Sequence, residues 1–342
     1  MKSSILIIYT GGTIGMKNDA ETGALVPFDF SAIYDEFPSL KRLNVDIDVL
    51  TMVPVIDSSN VTPANWAALA ELIRDNYARY DGFVVLHGTD TMSYTASAMS
   101  FMLENLAKPV VFTGSQIPIG VLRTDGRENL ITAIEIAGAH IGGRPEVPEV
   151  SLYFQNRLFR ANRTTKRSAE ALSAFRSYNY PPLAEVGVNI AYNLPAILHP
   201  TEISPQLRIA TRLADGIEVV KLFPGLGENI LRAMLSAPGL RAVVLETFGA
   251  GNAPTNEWFI RVLKEAIGRG IIILNITQCG GGKVSMELYE TGLRLQEIGV
   301  LCGHDMTTEA AVTKLMYVLG LDLPDDRTRA LLRRPLRGEF TA

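Results

Sequence analysis

The segment His87-Gly88-Thr89-Asp90-Thr91 concentrates side chains that can do chemistry. Thr89, Asp90 and Thr91 place a hydroxyl, a carboxylate and a second hydroxyl directly after an apolar run that ends at Leu86. A hydroxyl beside an acid or base is one part of an activated nucleophile. A structural alternative exists, because Asp90 or Thr91 at this place would cap the free amide groups of a following helix.

A second candidate is the hydroxyl of Thr13, in the segment Thr10-Gly11-Gly12-Thr13-Ile14-Gly15. Paired glycines after an apolar run let the backbone turn sharply and bring amide N–H groups close to a ligand. The motif alone does not decide between function and structure. It is neither a dinucleotide fingerprint nor a phosphate-binding loop, and similar turns occur in structural loops.

Lys166 is the third candidate, at the end of the segment that runs from Arg160. A lysine considered alone is usually a solvated surface charge. Together with Thr89 and Asp90, however, it would complete a relay of hydroxyl, amine and carboxylate, in which a partly desolvated lysine accepts a proton. Such a relay activates an otherwise weak nucleophile.

The elements that position these residues follow an alternating pattern. Short apolar runs typical of buried parallel strands recur along the chain, at residues 5–8, 83–86, 110–112, 150–154, 242–245 and 271–276. Helical patterns lie between them, one opened by Thr62 and Pro63 and one from Met92 to Leu106. The alternation predicts an α/β fold, in which ligands bind beyond the carboxyl ends of the strands.

Length and composition limit the function classes. A chain of 342 residues predicts two domains. We place them at residues 1–191 and 215–342, joined by a proline-containing linker, 192–214. The net charge of −4, without a basic cluster, argues against nucleic acid as a partner.

The short apolar run at the N-terminus and the absence of any long apolar stretch predict a cytoplasmic protein without membrane contact. Four scattered histidines and two cysteines, Cys279 and Cys302, form no ligand spacing, so we expect no metal and no cofactor. Both cysteines are expected to be buried, reduced thiols.

The segments together resemble the bacterial-type L-asparaginases, most closely their cytoplasmic type I branch, over nearly the whole chain. The matching segments are TGGTIG (Thr10 to Gly15), Asp57-Ser58-Ser59, DGFVVLHGTDTM (Asp81 to Met92), TGSQ (Thr113 to Gln116), NRTTK (Asn162 to Lys166), GNAP (Gly251 to Pro254) and TQC (Thr277 to Cys279). The first and third of these are the two signatures of the family. The resemblance implies a two-domain asparaginase-like fold with parallel sheets flanked by helices.

The resemblance also implies an activity, the hydrolysis of L-asparagine to L-aspartate and ammonia. Thr13 would attack the amide carbon and become the acyl-enzyme, with Thr89, Lys166 and Asp90 as the relay. Glutamine is longer by one methylene, which a pocket discriminates by about 1–3 kcal/mol. Weak glutaminase activity is therefore expected.

Substrate-binding roles are carried over in the same way. Asp90 and Ser59 would hold the α-amino and α-carboxylate groups of the substrate, and Ser58 and Ser115 would line the same site. Asn252 would approach from a neighbouring subunit, so the resemblance implies a homodimer or homotetramer.

Two positions depart from the family pattern. A loop tyrosine that reaches the nucleophile is replaced by Leu25 here, so either Tyr9 or water substitutes or the contact is absent. The loop from Met16 to Val26 is accordingly the least constrained part of the predicted site.

The other departure concerns regulation by asparagine at a second site. In some members an arginine takes part in that site, and its position carries Glu246 here, which would repel the substrate carboxylate. Thr165 and Cys279, the remaining residues of the regulatory site, would then lack their partner.

Three alternatives remain open at this stage. An amidotransferase subunit of the same family would carry an additional N-terminal domain, which this chain is not expected to have. A non-catalytic amino-acid sensor on the same fold would be favoured if Thr13, Thr89 or Lys166 were missing, and all three are present. A nucleotide-binding enzyme lacks support, because no glycine fingerprint with a ribose-binding carboxylate follows the first strand.

Overall fold

The computed structural model describes residues 2–18, 25–27, 37–200 and 206–341. The chain divides into two compact units, Met1–Thr211 and Arg212–Ala342. This division falls inside the predicted linker, part of which, residues 201–205, lies outside the described residues. The limits 1–191 and 215–342 stay predictions.

The first unit is built on an eight-stranded mixed sheet with the order β15-β14-β11-β10-β7-β5-β1-β4. Five of its strands run parallel, β10, β7, β5, β1 and β4, and the other three pair antiparallel at one edge. The described strands of this unit are β1 (Ser3–Tyr9), β2 (Met16–Asn18), β3 (Leu25–Pro27), β4 (Val45–Thr51), β5 (Gly82–Leu86), β6 (Leu103–Glu104), β7 (Val110–Thr113), β8 (His140–Ile141), β9 (Arg144–Pro145), β10 (Val150–Phe154), β11 (Arg157–Arg160), β12 (Thr165–Lys166), β13 (Phe175–Arg176), β14 (Ala184–Val186), β15 (Ile190–Tyr192) and β16 (Arg208–Ile209).

The central strands are apolar on both faces because helices cover the sheet. Every residue of β5, β7 and β10 is buried, which is why these segments are continuous apolar runs without alternation. The described helices of this unit are α1 (Pro63–Asn76), α2 (Met92–Met102) and α3 (Gly126–Gly138). Single 3₁₀ turns occur at Thr13–Gly15, Pro38–Arg42, Ser58–Asn60, Ala161–Arg163 and Leu194–Ala196.

Both helices predicted for this unit are present, with one difference in length. Helix α1 begins at Pro63 as expected, and the Asn65 side chain accepts a hydrogen bond from the Thr62 backbone N–H (2.8 Å). Helix α2 ends at Met102, four residues before the predicted Leu106. It ends there because Leu103 and Glu104 turn into β6, which pairs antiparallel with β16.

The second unit holds a four-stranded parallel sheet with the order β17-β18-β19-β20. Its strands are β17 (Ile217–Lys221), β18 (Ala242–Thr247), β19 (Ile272–Thr277) and β20 (Leu301–Cys302). Its helices are α4 (Glu228–Leu235), α5 (Glu257–Gly268), α6 (Glu290–Glu297), α7 (Thr308–Gly320) and α8 (Asp325–Leu332). The predicted α/β class is confirmed in both units, with the antiparallel edge of the first sheet as an addition. None of the helices in the described residues is long and apolar enough to cross a membrane.

Candidate active site

The carboxyl ends of β1, β5 and β7 meet at one edge of the first sheet. Tyr9 is in register with Leu86, and Leu86 with Thr113. Past these ends, the Thr10 N–H donates to the Leu86 carbonyl (3.0 Å) and the His87 N–H to the Thr113 carbonyl (3.0 Å). The parallel topology therefore brings the three predicted loops together.

Two glycines fix how closely the first two loops approach. Gly12 has a φ of 89°, and a Cβ there would lie 2.4 Å from the Cα of Gly88. Only glycine fits this conformation and this contact without strain. The residues that follow directly, Thr13 and Thr89, therefore lie on neighbouring loops, and Thr13 is exposed.

The predicted relay is assembled at this edge. Lys166 Nζ donates to Thr89 Oγ1 at 2.9 Å and to Asp90 Oδ1 at 2.6 Å. The Lys166 side chain is only 18% exposed, whereas that of Asp90 is 65% exposed. The alternative that Lys166 is a solvated surface charge is therefore wrong.

The capping alternative for this segment is wrong as well. Thr91 is the N-cap residue of α2, yet its side chain does not cap the helix. Its hydroxyl donates instead to the Ser58 carbonyl at 2.6 Å, and the Asp90 carboxylate accepts a hydrogen bond from the Lys166 amine. The Thr91 hydroxyl and the Asp90 carboxylate therefore form contacts between loops and do not cap the helix.

The Ser58 and Ser59 segment is packed against the same loops. A Cβ on Gly88 would lie 2.4 Å from Ser58 Oγ, so Ser58 is buried directly beneath the loop that carries Thr89 and Asp90. Ser59 is exposed, and both its N–H (2.9 Å) and its hydroxyl (2.8 Å) donate to Asp57 Oδ1. These two hydrogen bonds hold the pKa of the Asp57 carboxyl below its usual range.

Ser115 lies at the end of β7 with its hydroxyl buried. Its Oγ has no hydrogen-bond partner within the described part of the chain. The neighbouring Gln116 has three anchors: its N–H donates to Asp125 (3.1 Å), its Nε2 to the Ala169 carbonyl (3.1 Å), and its Oε1 accepts from Thr89 Oγ1 (3.1 Å). Gln116 therefore connects the relay hydroxyl with the segment that follows Lys166.

His87, at the start of the segment that carries Thr89, is buried and uncharged. It is 2% exposed, and desolvation lowers its pKa from 6.5 to about 4. Its Nδ1 lies 2.8 Å from the Gly88 carbonyl, which fixes Nδ1 as the protonated nitrogen of the neutral ring. This hydrogen bond holds the His87 ring against the backbone of the same segment.

Leu25 stands at the position of the family's loop tyrosine, and the expectation was that Tyr9 or water substitutes for it or that the contact is absent. Tyr9 is buried beneath the loop that carries Thr13, where a Cβ on Gly15 would lie 2.0 Å from its hydroxyl oxygen. That hydroxyl reaches the Gly12 carbonyl at 3.5 Å, and burial raises its pKa. Leu25 pairs through its backbone with Asn18, and residues 19–24 of the same loop lie outside the described residues.

Asn252 belongs to the second unit, in the turn that follows β18. Its N–H and carbonyl pair with Phe248 (2.8 and 2.9 Å), which closes a tight turn. Its Oδ1 accepts from Thr291 Oγ1 at 3.4 Å. The role of Asn252 in the site of a partner stays a prediction.

The residues of the predicted regulatory site are divided between the two units. Thr165 pairs with Arg176 in the first unit. Cys279 lies in the second unit and is exposed, so the expectation of two buried thiols is wrong for it; Cys302 is half-buried, and both are free. Cys279 is exposed because it lies two residues past the end of β19, in a glycine-rich bend where its N–H donates to Thr277 Oγ1 (3.0 Å).

Glu246, at the position of the missing arginine, is buried at the end of β18. Its Oε1 accepts from Thr308 Oγ1 at 2.6 Å, and its Oε2 lies 3.7 Å from Lys221 Nζ. The carboxylate therefore has partners within its own unit. No group of three or more histidine, cysteine or acidic side chains suited to a metal ion occurs among the residues described.

Gln116 and Asp125 were not predicted as site residues. Gln116 belongs to the TGSQ segment, in which only Ser115 had been selected. Asp125, nine residues later, accepts from the N–H groups of Gln116 and Ile117 (3.1 and 3.0 Å). The signal in the sequence that could have identified Asp125 is an acidic residue just before a helix, downstream of the loop that ends a strand.

Comparison with known proteins agrees with this geometry. The family model described as "Asparaginase, N-terminal" matches residues 4–198, and "Glutaminase/Asparaginase C-terminal domain" matches residues 216–332. L-asparaginase 1 of Escherichia coli (strain K12) is 44% identical over 99% of this chain and 98% of its own length. The 60 kDa lysophospholipase of Mus musculus is 42% identical over 98% of this chain and 62% of its own.

A solved structure shares the fold throughout. The crystal structure of L-asparaginase I from Vibrio cholerae superposes with a TM-score of 0.91 at 42% identity and covers all of both chains. The strand-end loops, the glycine contact and the lysine relay thus occur in a chain that matches both domains of one family. This protein belongs to the asparaginase family.

Proposed function

We propose that this protein is an L-asparaginase that hydrolyses L-asparagine to L-aspartate and ammonia through an acyl-enzyme on Thr13. The observation that carries the proposal is the position of Lys166 Nζ, 2.9 Å from Thr89 Oγ1 and 2.6 Å from Asp90 Oδ1. A partly buried amine between a hydroxyl and a carboxylate is suited to moving a proton at the loop next to Thr13.

The reaction takes two steps. Thr13 Oγ attacks the side-chain amide carbon, the C–N bond breaks, and ammonia leaves with the proton that Thr13 gave up. Water then attacks the aspartyl ester, aspartate departs, and Thr13 regains its hydrogen. In the first step the Thr13 proton passes through Thr89 to the free amine of Lys166, which then returns a proton to the departing nitrogen. The adjacent Asp90 carboxylate stabilises the ammonium group of Lys166 between these two transfers.

The two charged ends of asparagine have partners at the same edge. Asp90 uses Oδ1 for Lys166, which leaves Oδ2 for the substrate ammonium. The Ser59 hydroxyl donates to the Asp57 carboxylate in this structure. When substrate binds, this hydroxyl donates to the substrate carboxylate in place of Asp57. Ser58 and Ser115, both buried, line the same site.

The finer parts of the proposal rest on the resemblance. Asn252 completes the site of a neighbouring subunit, so the active form is a homodimer or homotetramer in the cytoplasm. Glutamine is a weak second substrate. Regulation through Thr165 and Cys279 lacks its arginine, because Glu246 occupies that position.

Ammonia release from L-asparagine, L-glutamine and their D-forms tests the proposal. We expect turnover of L-asparagine, a slower reaction with L-glutamine, and the same rates after exhaustive chelation. The same preparation is assayed with a lysophospholipid, because one relative carries that activity in its name. Fatty-acid release without ammonia release would contradict the proposal.

A further inference from the structure

The hydroxyl of Thr91 joins two of the loops at the carboxyl edge of the first sheet. It donates to the Ser58 carbonyl at 2.6 Å, and the same carbonyl accepts the Val61 N–H (3.3 Å) that closes the 3₁₀ turn Ser58–Asn60. Thr91 stands at the N-cap of α2, where a threonine hydroxyl usually accepts from the first N–H groups of the helix. Here the hydroxyl instead binds a carbonyl that lies 33 positions earlier in the sequence.

The two residues that this hydrogen bond joins are the neighbours of the proposed substrate-binding groups. Asp90 directly precedes Thr91, and Ser59 directly follows Ser58. The Ser59 N–H (2.9 Å) and hydroxyl (2.8 Å) are held in turn by Asp57 Oδ1. The Thr91 hydroxyl therefore connects the group proposed to take the substrate ammonium with the group proposed to take the substrate carboxylate.

Close backbone packing surrounds this connection. A Cβ on Gly88 would lie 2.4 Å from Ser58 Oγ, and a Cβ on Gly11 would lie 2.0 Å from the Ile56 carbonyl oxygen. The segment that holds Ser58 is thus packed against the loop of Thr13 on one side and the loop of Gly88 on the other. Packing limits how far apart these loops lie, whereas a hydrogen bond also fixes their direction.

We propose that Thr91 is a positioning residue, which fixes the separation of the two groups that bind the charged ends of asparagine. Its hydrogen bond holds the backbone at Ser58 against the loop of Asp90. The Ser59 hydroxyl and the Asp90 carboxylate then keep the spacing of the α-carboxylate and α-ammonium groups of the substrate. The inference rests on the proposed function and adds a residue that it did not include. Because Thr91 holds the binding groups, its loss should raise KM more than it lowers kcat.

The test is the steady-state kinetics of ammonia release from asparagine. Thr91→Val keeps the shape of the side chain and removes the donor. A misplacement of about 1 Å can cost about 100-fold, so kcat/KM should fall by about 10- to 100-fold, mainly through KM. Thr91→Ser keeps the hydroxyl and should stay within about threefold of wild type. If Thr91→Val does not fold, Thr91→Cys takes its place, because a thiol is only a weak donor.

A double-variant cycle with Ser59→Ala tests whether Thr91 acts through the Ser59 hydroxyl. Once that hydroxyl is removed, Thr91 has no binding group left to place on this turn. Thr91→Val should therefore lower kcat/KM by less than about threefold in the Ser59→Ala background, against about 10- to 100-fold in the wild-type background. An equal loss in the two backgrounds would show independent effects and overturn the inference.

Thr313→Val is the matched control for a purely structural effect. Thr313 Oγ1 also donates to a backbone carbonyl, that of Glu309 (2.7 Å), in the second unit, and its side chain is buried. Its loss should lower the melting temperature and leave KM for asparagine within about threefold of wild type. A rise in KM equal to that of Thr91→Val would count against a specific role of Thr91 and overturn the inference.

The outcomes distinguish the inference from the proposed function. A wild type that turns over asparagine, with an unchanged KM in Thr91→Val, overturns the role of Thr91 alone. The same conclusion follows if Thr91→Ser is as impaired as Thr91→Val, or if Ser59→Ala leaves KM unchanged. If the wild type releases no ammonia from asparagine, the proposed function fails and this inference with it.

Discussion

Replacement of Lys166 by methionine separates catalysis from stability more clearly than other single changes at this edge. Methionine keeps much of the length of the side chain and removes the amine. The lost contacts are the hydrogen bond to Thr89 and the ion pair with Asp90, whose carboxylate is 65% exposed. An ion pair with one exposed partner contributes about 1 kcal/mol or less to stability.

The expected effect on the reaction is much larger. Proton transfer by a positioned side chain contributes about 10²- to 10⁴-fold, or about 3–5 kcal/mol of the barrier. Lys166→Met should therefore lower kcat by at least about 100-fold and change KM little. The melting temperature should fall by only a few degrees.

Steady-state ammonia release, together with thermal unfolding, measures both effects. Lys2→Met is the matched control, because Lys2 forms an exposed ion pair with Asp46 at 3.4 Å in the same unit. It should leave kcat unchanged. A Lys166→Met enzyme with kcat within about tenfold of wild type would refute the relay.

Three further predictions address other parts of the chain. Glu339→Gln should lower the free energy of unfolding in urea by about 3–5 kcal/mol. The reason is that Glu339 and Lys314 form an ion pair at 2.7 Å in which both side chains are fully buried. A smaller loss of stability than in the double variant Lys314→Met/Glu339→Leu would contradict this prediction. The pKa of His87 is about 4 in the folded state and 6.5 in the unfolded state. Between these pH values the unfolded chain carries a proton on His87 that the folded chain does not. The free energy of unfolding should therefore fall by about 3 kcal/mol as the pH drops through this window. His87→Gln should lose that dependence, and an unchanged acid profile would refute it. Mixing Thr13→Ala with Asn252→Ala under subunit exchange should restore activity toward half of wild type per hybrid dimer; demonstrated exchange without recovery would return Asn252 to its own subunit or to a structural role.

The strands and the individual groups of the relay were predicted from local signals, although Lys166 lies 77 positions from Thr89. An unbroken apolar run such as that ending at Leu86 indicates a doubly covered strand, and the groups of the relay follow directly after such runs or within a short motif. Parallel topology then brings strand ends together without further information. Thr89, Asp90 and Lys166 were therefore accessible from types and spacing.

Other features depend on contacts that are distant in sequence. The end of α2 at Met102 is set by pairing of Leu103 and Glu104 with residues about a hundred positions later. Gln116 meets Thr89 and the Ala169 carbonyl, which lie 27 and 53 positions away in the sequence. Pattern and propensity carry no information on such pairings.

The predictions about Leu25 and Cys279 show a different limit. A short loop that departs from the family pattern gives no periodicity from which to place a replacement group. The expectation that Cys279 is buried came from the average behaviour of free cysteine. Its position in an open turn after β19 overrides that average.

Single-turnover ammonia release by Thr13→Ala tests the central claim most directly, with Thr13→Ser as the matched control. The account predicts that Thr13→Ala folds and binds asparagine but releases no ammonia in a single turnover, because no ester can form. Thr13→Ser keeps the hydroxyl and should retain part of the rate. Release by Thr13→Ala within about tenfold of wild type, a barrier change of only ~1.4 kcal/mol, would contradict the account and make Thr89 the next candidate nucleophile.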